Sequence, residues 1–398
     1  MNQRHKVPKL LHTIKLQKNF LDNITISDKE DSQLRMLRKE VRSALKVGFK
    51  ELRDRAHTYP DDTQRYIARL EPKFWTQGSF VYRTLNSPAY VPPQQIDLDD
   101  GVYFPMEVVE GNPKAAKDIL FKLVDGILRN LANSKGWEFD DSKSTCARLN
   151  VNERIHIDVP IYAIPEERYA ILKASLEART FDEKFSANAN FDAEEDIWLD
   201  SNLVYLAMRN KEHWKPSDPM VLQRWFEGRC SIHTKRLRRV CRYLKAWRDF
   251  TWKKGGPSSI TLMVAATETF DRFFNLNGKG FDTDCQAFLA VVRAMPNQFD
   301  GEIYNPEDSE EKMFPRGQSS EELQIIRSQI RLLKQQTEDA LCNSTTTEMV
   351  VDSLRSVFGM RIPNRPDWVE VVTVSESVRN IPAQRQERPQ PSKSHRSA

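Results

Sequence analysis

Two short runs, Ile96-Asp97-Leu98-Asp99-Asp100 and Ile155-His156-Ile157-Asp158-Val159, interleave carboxylates with large aliphatic residues. On an extended strand, side chains two apart share a face, so Asp97 and Asp99 project together while Ile96 and Leu98 enter a core. Asp158 lies on a second alternating strand, and a neighbouring position in one sheet brings it beside the first pair. Three carboxylates gathered without a close Lys or Arg repel one another, and a divalent cation is the natural compensation. Mg²⁺ takes carboxylate and phosphate oxygens readily, and two such ions clamp the attacking and departing oxygens of an in-line phosphoryl transfer. The expectation is two Mg²⁺ ions, with Mn²⁺ as an alternative, on Asp97, Asp99 and Asp158. Asp158 would hold the ion that activates an incoming 2′ or 3′ hydroxyl. A bare D-x-D is common in loops; here Gly78-Ser79 upstream adds close backbone approach and a hydroxyl for β and γ phosphates. Asp100 faces the other way and, beside Gly101, reads as a strand-ending turn residue.

The rest of the chain frames this unit. Leu34, Leu37, Val41, Leu45 and Phe49 recur at helical spacing within a charged stretch from about Ser27 to Tyr59, which predicts one long amphipathic helix. After Pro72 the mixture of β-branched, aromatic and Pro residues suits strands joined by a loop. A helix over Pro113 to Asn133 precedes the strand pair ARLNVNERIHIDVPIYAIP, and DIWLDSNLVYLA adds a last strand-like segment. From Pro216 onward the apolar period is helical: Met220 to Glu227, Leu237 to Trp252, Ile260 to Phe274, Cys285 to Ala294, Glu321 to Leu333 and Thr337 to Val357. The predicted class is therefore α+β. It comprises a mixed-sheet core with its long N-terminal helix over 1–212, a helical lobe over 213–363, and a flexible tail over 364–398 rich in Pro, Gln, Ser and Arg.

Composition narrows the partners. Sixty Lys and Arg against 56 Asp and Glu leave a net charge of only +4, so the chain is no polycation and needs no nucleic acid to neutralise it. The five cysteines are scattered and never form C-x-x-C, which argues against a disulfide framework or thiolate zinc site and fits a reducing cytoplasm. No apolar run approaches the roughly 20 residues that span a bilayer, so no membrane association is expected. His156, His213 and His233 lack an i,i+4 partner or a cysteine neighbour and read as structural or exposed. Trp198, Trp214, Trp225 and Trp247 read as core.

The strings QGSFVYRT, IDLDDGVYFPM, RIHIDVPIYAIP, HWKPSDPMVLQRWF and RYLKAWRDF, in that order over about residues 30 to 360, resemble the bacterial cGAS/DncV-like nucleotidyltransferases of CBASS anti-phage systems, and within them the vibrio cyclic GMP-AMP synthase branch. The resemblance implies a polymerase-beta-like nucleotidyltransferase core, a spine helix and a helical lobe, with the active site between them. By position it implies that Gln77, Gly78 and Ser79 contact a donor triphosphate and that Tyr82 lines the nucleotide pocket. Ser217 and Asp218 would belong to a nucleotide-contacting loop, Lys245 would be the triphosphate lysine, Ser259 would recognise phosphate or base, and Arg148 would meet the acceptor nucleotide. Charge alone would make Lys245 an ordinary solvated lysine on a basic helix.

The implied reaction is template-independent synthesis of 3′,3′-cyclic GMP-AMP from ATP and GTP, with a cyclic-dinucleotide-activated effector downstream. Transfer to RNA or a small molecule, or synthesis of another cyclic di- or trinucleotide, is the alternative; the basic Lys235 to Lys254 segment would then form part of a groove. The resemblance also implies conjugation through Ala398 by an E1/E2-like ancillary enzyme.

Overall fold

The computed structural model describes residues 3–372, apart from 16, 59, 107–112, 168, 171–203 and 212. Strand β1 (His5–Lys6) and helix α1 (Phe20–Ile24) precede the long helix α2 (Asp28–Asp54). Ser27 starts α2 with a reciprocal capping box to Glu30, and its buried stripe is Leu34, Leu37, Val41, Leu45 and Phe49, as the spacing predicts. Helix α3 (Asp61–Ala68), strand β2 (Lys73–Gln77) and the single-turn α4 (Gly78–Val81) lead to β3 (Ile96–Pro105). Helix α5 (Pro113–Lys135), β4 (Glu138–Asp140), β5 (Cys146–Asn152), β6 (Ile155–Ile164), β7 (Tyr205–Leu206) and β8 (Lys215–Pro216) complete this half.

The sheet runs β2-β3-β6-β5-β4, with β7 on β6 and β8 on β7. Strands β3 and β6 are parallel and connected by way of α5, and their register sets Asp97 opposite His156 and Asp99 opposite Asp158. Antiparallel β2 sets Gln77 opposite Asp99. The α+β class holds. Ile96, Leu98, Ile155, Ile157 and Val159 share one core with α2 and α5, so the strand faces are fixed by aliphatic burial.

Asp100 corrects its reading as a turn residue, because β3 continues through it to Pro105. Its side chain is 1% exposed and meets Arg42 of α2, with Arg42 Nε 2.7 Å from Oδ2 and Nη2 2.5 Å from Oδ1. Thr76 donates a further bond of 3.0 Å to Oδ1. One face of β3 thus carries Asp97 and Asp99 while the other ties the sheet to the spine helix. Arg42→Met strands a buried carboxylate and is expected to cost about 3 kcal/mol in denaturant unfolding, with much of that recovered in the Arg42→Met/Asp100→Asn double variant.

The second half contains α6 (Pro219–Thr251), α7 (Ser259–Asn277), α8 (Asp284–Asp300), the hairpin β9 (Ile303–Asn305) and β10 (Asp308–Phe314), α9 (Ser320–Glu338), α10 (Thr347–Phe358) and β11 (Glu370–Val371). The two periodic segments at Met220 and Leu237 are one helical stretch broken at Thr234, whose φ of 64° is left-handed. The hairpin has no periodic signal and is absent from the prediction.

Two boundaries are corrected. Val7, Leu10, Leu11, Phe20 and Ile24 pack into the helical lobe's core, so the first 25 residues do not share the sheet's core. Trp368 is buried and β11 pairs with β1, so the chain is packed beyond residue 364, as far as the described residues extend. These elements are too short for a period to show. Trp198, the Asp196–Leu203 part of the last strand-like segment, the remaining tail and Ala398 lie outside the described residues.

Candidate active site

A cavity of about 440 Å³ separates the two halves. Gly78, Ser79, Tyr82, Asp97, Asp99 and His156 line it from the sheet side; Lys245, Arg248, Trp252, Lys253, Lys254 and Ser259 line it from the helices. The loop between α4 and β3 laces the halves together: Asn86 and Arg242 exchange hydrogen bonds, and Gln94 Nε2 donates to the carbonyls of Asp249 and Trp252. Tyr82 packs edge-on against Phe226 of α6 at 5.8 Å between ring centres.

Gly78 is required by geometry. Its φ is +69°, and a Cβ there would stand 2.1 Å from Asp99 Oδ2. The turn therefore lies directly against a carboxylate of the cluster. Burial, then Asp97 and Asp158, hold the Asp99 carboxyl well above the usual range. Burial pushes Asp97 the same way, but the His156 imidazole, with Nε2 2.9 Å from Asp97 Oδ1, draws it below its ordinary value. One ligand atom each from Asp97, His156 and Asp158 lie within 4.8 Å of one another. Among the described residues, buried Asp97 Oδ1 and His156 Nε2 face each other and have no other hydrogen-bond partner. Crowded carboxylates, an imidazole nitrogen turned toward them and a turn kept open for Asp99 fit a divalent cation.

The expectation that the cluster lacks a cationic side chain is corrected. Arg148 lies directly across from Asp158 in the antiparallel β5/β6 pairing and grips both its oxygens at 2.6 and 2.7 Å. Although burial opposes its charge, Asp158 holds Arg148 firmly protonated. Arg148 is thus at the cluster, bound to a carboxylate rather than standing free for a nucleotide. Its guanidinium offsets part of the negative charge there.

Lys245 enters the cavity from α6 and donates 2.9 Å to the carbonyl of Thr84. Burial, assisted by Arg248 and Arg242 and opposed by Asp249 and Asp97, pulls its pKa down to about 8. The charge is present below that pH and is lost as pH rises through it. Triphosphate affinity should therefore weaken by up to about tenfold per pH unit above 8. In Lys245→Met it should be weak throughout and flat over that window, as fluorescent-nucleotide titration would read. Ser259 lines the cavity from the first position of α7 and accepts from Arg248 Nη2 at 3.1 Å.

Three other sequence candidates sit elsewhere. Gln77 does not line the cavity: its Oε1 accepts from Tyr162 at 3.0 Å and its Nε2 donates to Tyr103 at 3.3 Å. Ser217 donates its backbone N–H to Val204, and Asp218 caps α6 by accepting from the Met220 N–H at 2.9 Å. Neither lines the cavity, because the sequence Asp218-Pro219 starts a 33-residue helix. The sequence reading missed His156, Gln95, Arg248 and Trp252 as cavity residues. For His156 a signal existed: it is two residues from Asp158 and so shares its face.

Two family models match the chain. One, described as cyclic GMP-AMP synthase DncV-like, nucleotidyltransferase domain, matches residues 72–162; the other, cyclic GMP-AMP synthase, C-terminal domain, matches 234–370. A cyclic GMP-AMP synthase of Vibrio cholerae is 36% identical over 319 residues, 76% of this chain and 71% of that protein. One from Escherichia coli is 35% identical over 317 residues, again 76% and 71%. The crystal structure of Vibrio cholerae DncV with the linear intermediate 5′ pppA(3′,5′)pG aligns with a TM-score of 0.78 at 27% identity, covering 94% of this chain and all of that one.

Proposed function

The chain belongs to the DncV-like nucleotidyltransferase family, and from that premise we propose that this nucleotidyltransferase makes a cyclic dinucleotide, 3′,3′-cyclic GMP-AMP, from ATP and GTP in anti-phage defence. The observation that carries the reading is that Asp97 and Asp99 of β3 line a cavity whose other wall bears Lys245, with Asp158 of the parallel β6 in register beside Asp99. In the Vibrio relative, the bound linear intermediate pppA(3′,5′)pG is what a two-round synthesis at one site requires.

The residues divide the work as follows. Gly78 and Ser79 present backbone N–H groups and a hydroxyl to the donor's polyphosphate, and the Lys245 ammonium meets its charge. Tyr82 gives the nucleotide an apolar wall. Asp97, Asp99 and Asp158 would hold two Mg²⁺ ions, whose bound charge would lower the acceptor hydroxyl's pKa and stabilise the departing phosphate. Asp158, held by Arg148, would direct the 3′ hydroxyl toward the α-phosphorus. The 3′ oxygen bonds that phosphorus, the α-β bridging bond breaks, pyrophosphate leaves and the hydroxyl proton passes to solvent. Repetition from the second 3′ hydroxyl closes the ring. A cyclic-dinucleotide-activated effector would receive the product.

The basic α6 segment does not favour an RNA groove. Arg236 and Arg239 are turned inward onto buried Asp284, Arg242 onto Asn86 and Arg248 onto Asp249. Incubation with Mg²⁺ and four labelled nucleoside triphosphates is expected to give a phosphatase-resistant product containing one A and one G. A product that stays phosphatase-sensitive, or label incorporated only into RNA, would sink the proposal.

A further inference from the structure

Resting on the metal-dependent reading of this site, we infer that His156 is itself a metal ligand, making this a mixed imidazole and carboxylate centre that prefers Mn²⁺ over Mg²⁺. The argument starts with the tautomer. Gln95 Nε2 lies 2.8 Å from the main-chain carbonyl of Asn152, which can only accept, so the amide nitrogen must face it. Gln95 Oε1 is thereby turned toward His156 Nδ1 at 3.0 Å, and Nδ1 must carry the proton it donates. Nε2 is then the ring nitrogen that faces the carboxylates.

That nitrogen is aimed into the carboxylate cluster. The His156 side chain is 91% buried, and its Nε2, shielded from solvent, has no partner besides Asp97 among the described residues. It lies 2.9 Å from Asp97 Oδ1, an oxygen equally shielded from solvent. That separation suits a shared positive centre, which a bound divalent cation would supply. The spacing is about the edge two adjacent ligands span around an octahedral ion bonded at ~2.1 Å to each. Asp158 supplies a third ligand atom within 4.8 Å of the other two. An Nδ1–H held by an outer amide is the usual way a ligating imidazole is aimed. Mg²⁺ keeps to oxygen ligands, so an imidazole nitrogen in the set disfavours it relative to a divalent first-row transition metal such as Mn²⁺. Asp99, against Gly78 and outside this trio, is left for the ion nearer the donor phosphates.

The test is pulsed EPR of Mn²⁺ bound to the full-length protein, with Mn²⁺ and Mg²⁺ affinities measured by competition. Wild type is expected to show a directly coordinated ¹⁴N that disappears in His156→Phe. The preference for Mn²⁺ over Mg²⁺ should fall about tenfold or more in that variant, and Gln95→Leu should weaken Mn²⁺ binding by about 10–100-fold. Wild-type Mn²⁺ lost in Asp97→Asn but surrounded only by oxygen would overturn the His156 assignment while leaving the synthase reading intact. An unchanged Mn²⁺ preference in a folded His156→Phe would do the same. Failure of wild type to bind Mn²⁺ at all would overturn both.

Discussion

Gly78→Ala is expected to lower nucleotidyl transfer by at least about 10²-fold with a far smaller effect on folding. The added Cβ would lie 2.1 Å from Asp99 Oδ2, so either the carboxylate or the phosphate-facing turn must move. Displacements near 1 Å in a reacting centre cost on the order of 10²-fold in rate. The backbone adds a separate penalty, because φ of +69° is costly for alanine, on the order of 1 kcal/mol. Gly136 separates the two effects. Its φ is +68°, yet a Cβ there would meet nothing within 4 Å. Gly136→Ala should therefore lose comparable stability and retain the wild-type rate. Initial rates of pyrophosphate release and thermal melts on both variants check this, and equal rate losses would remove the Gly78 argument.

The Asp97→Asn/Asp99→Asn variant should lose more, at least about 10³-fold, because each of the two metal ions would lose a carboxylate. Its folding should not suffer in proportion. Burial and two neighbouring carboxylates raise the folded-state pKa of Asp99, so in the metal-free protein the folded state binds more protons than the unfolded state across the raised window. The stability tied to Asp99 falls as pH rises through that window and stays lost above it. Asp99→Asn alone should thus melt no lower than metal-free wild type at pH 7, and higher if repulsion outweighs the lost hydrogen bonding. A lower melting temperature at pH 7, matched by an equal deficit at pH 4, would show that Asp99 is a structural carboxylate instead.

What the sequence made legible was whatever depends on local period. The α2 stripe, the two alternating strands and the common face of Asp97 and Asp99 follow from spacing alone, and the sheet repeats them. What escaped it depends on pairing. Arg148 reaches Asp158 only because β5 folds back on β6 in one particular register, which no spacing in either strand specifies. Gln77 was assigned to phosphate by its place beside Gly78, yet two tyrosine hydroxyls from β3 and β6 claim its amide. Asp218 shows the reverse: Asp-Pro before an apolar helical run is a capping signal, and the cap is where its carboxylate is engaged. His156 was discounted for want of a helical partner, although the period-two rule applied to Asp97 and Asp99 also places it beside Asp158.

The helical lobe's boundary was obscured for a different reason. Residues 5–25 contribute Val7, Leu10, Phe20 and Ile24 to a core completed mainly by helices of the second half, far along the chain. Short elements bury themselves by tertiary contact, and no periodic pattern announces it.

The central claim is that one cavity brings the carboxylate cluster, the Gly78-Ser79 turn and Lys245 onto a single metal-bound nucleotide. A crystal structure with Mn²⁺ and a non-hydrolysable nucleoside triphosphate tests it most directly. The account predicts manganese anomalous density against Asp97 and Asp99, with the polyphosphate lying between Ser79 and Lys245. Triphosphate bound outside the cavity, or inside it with these carboxylates far from any metal, would contradict it.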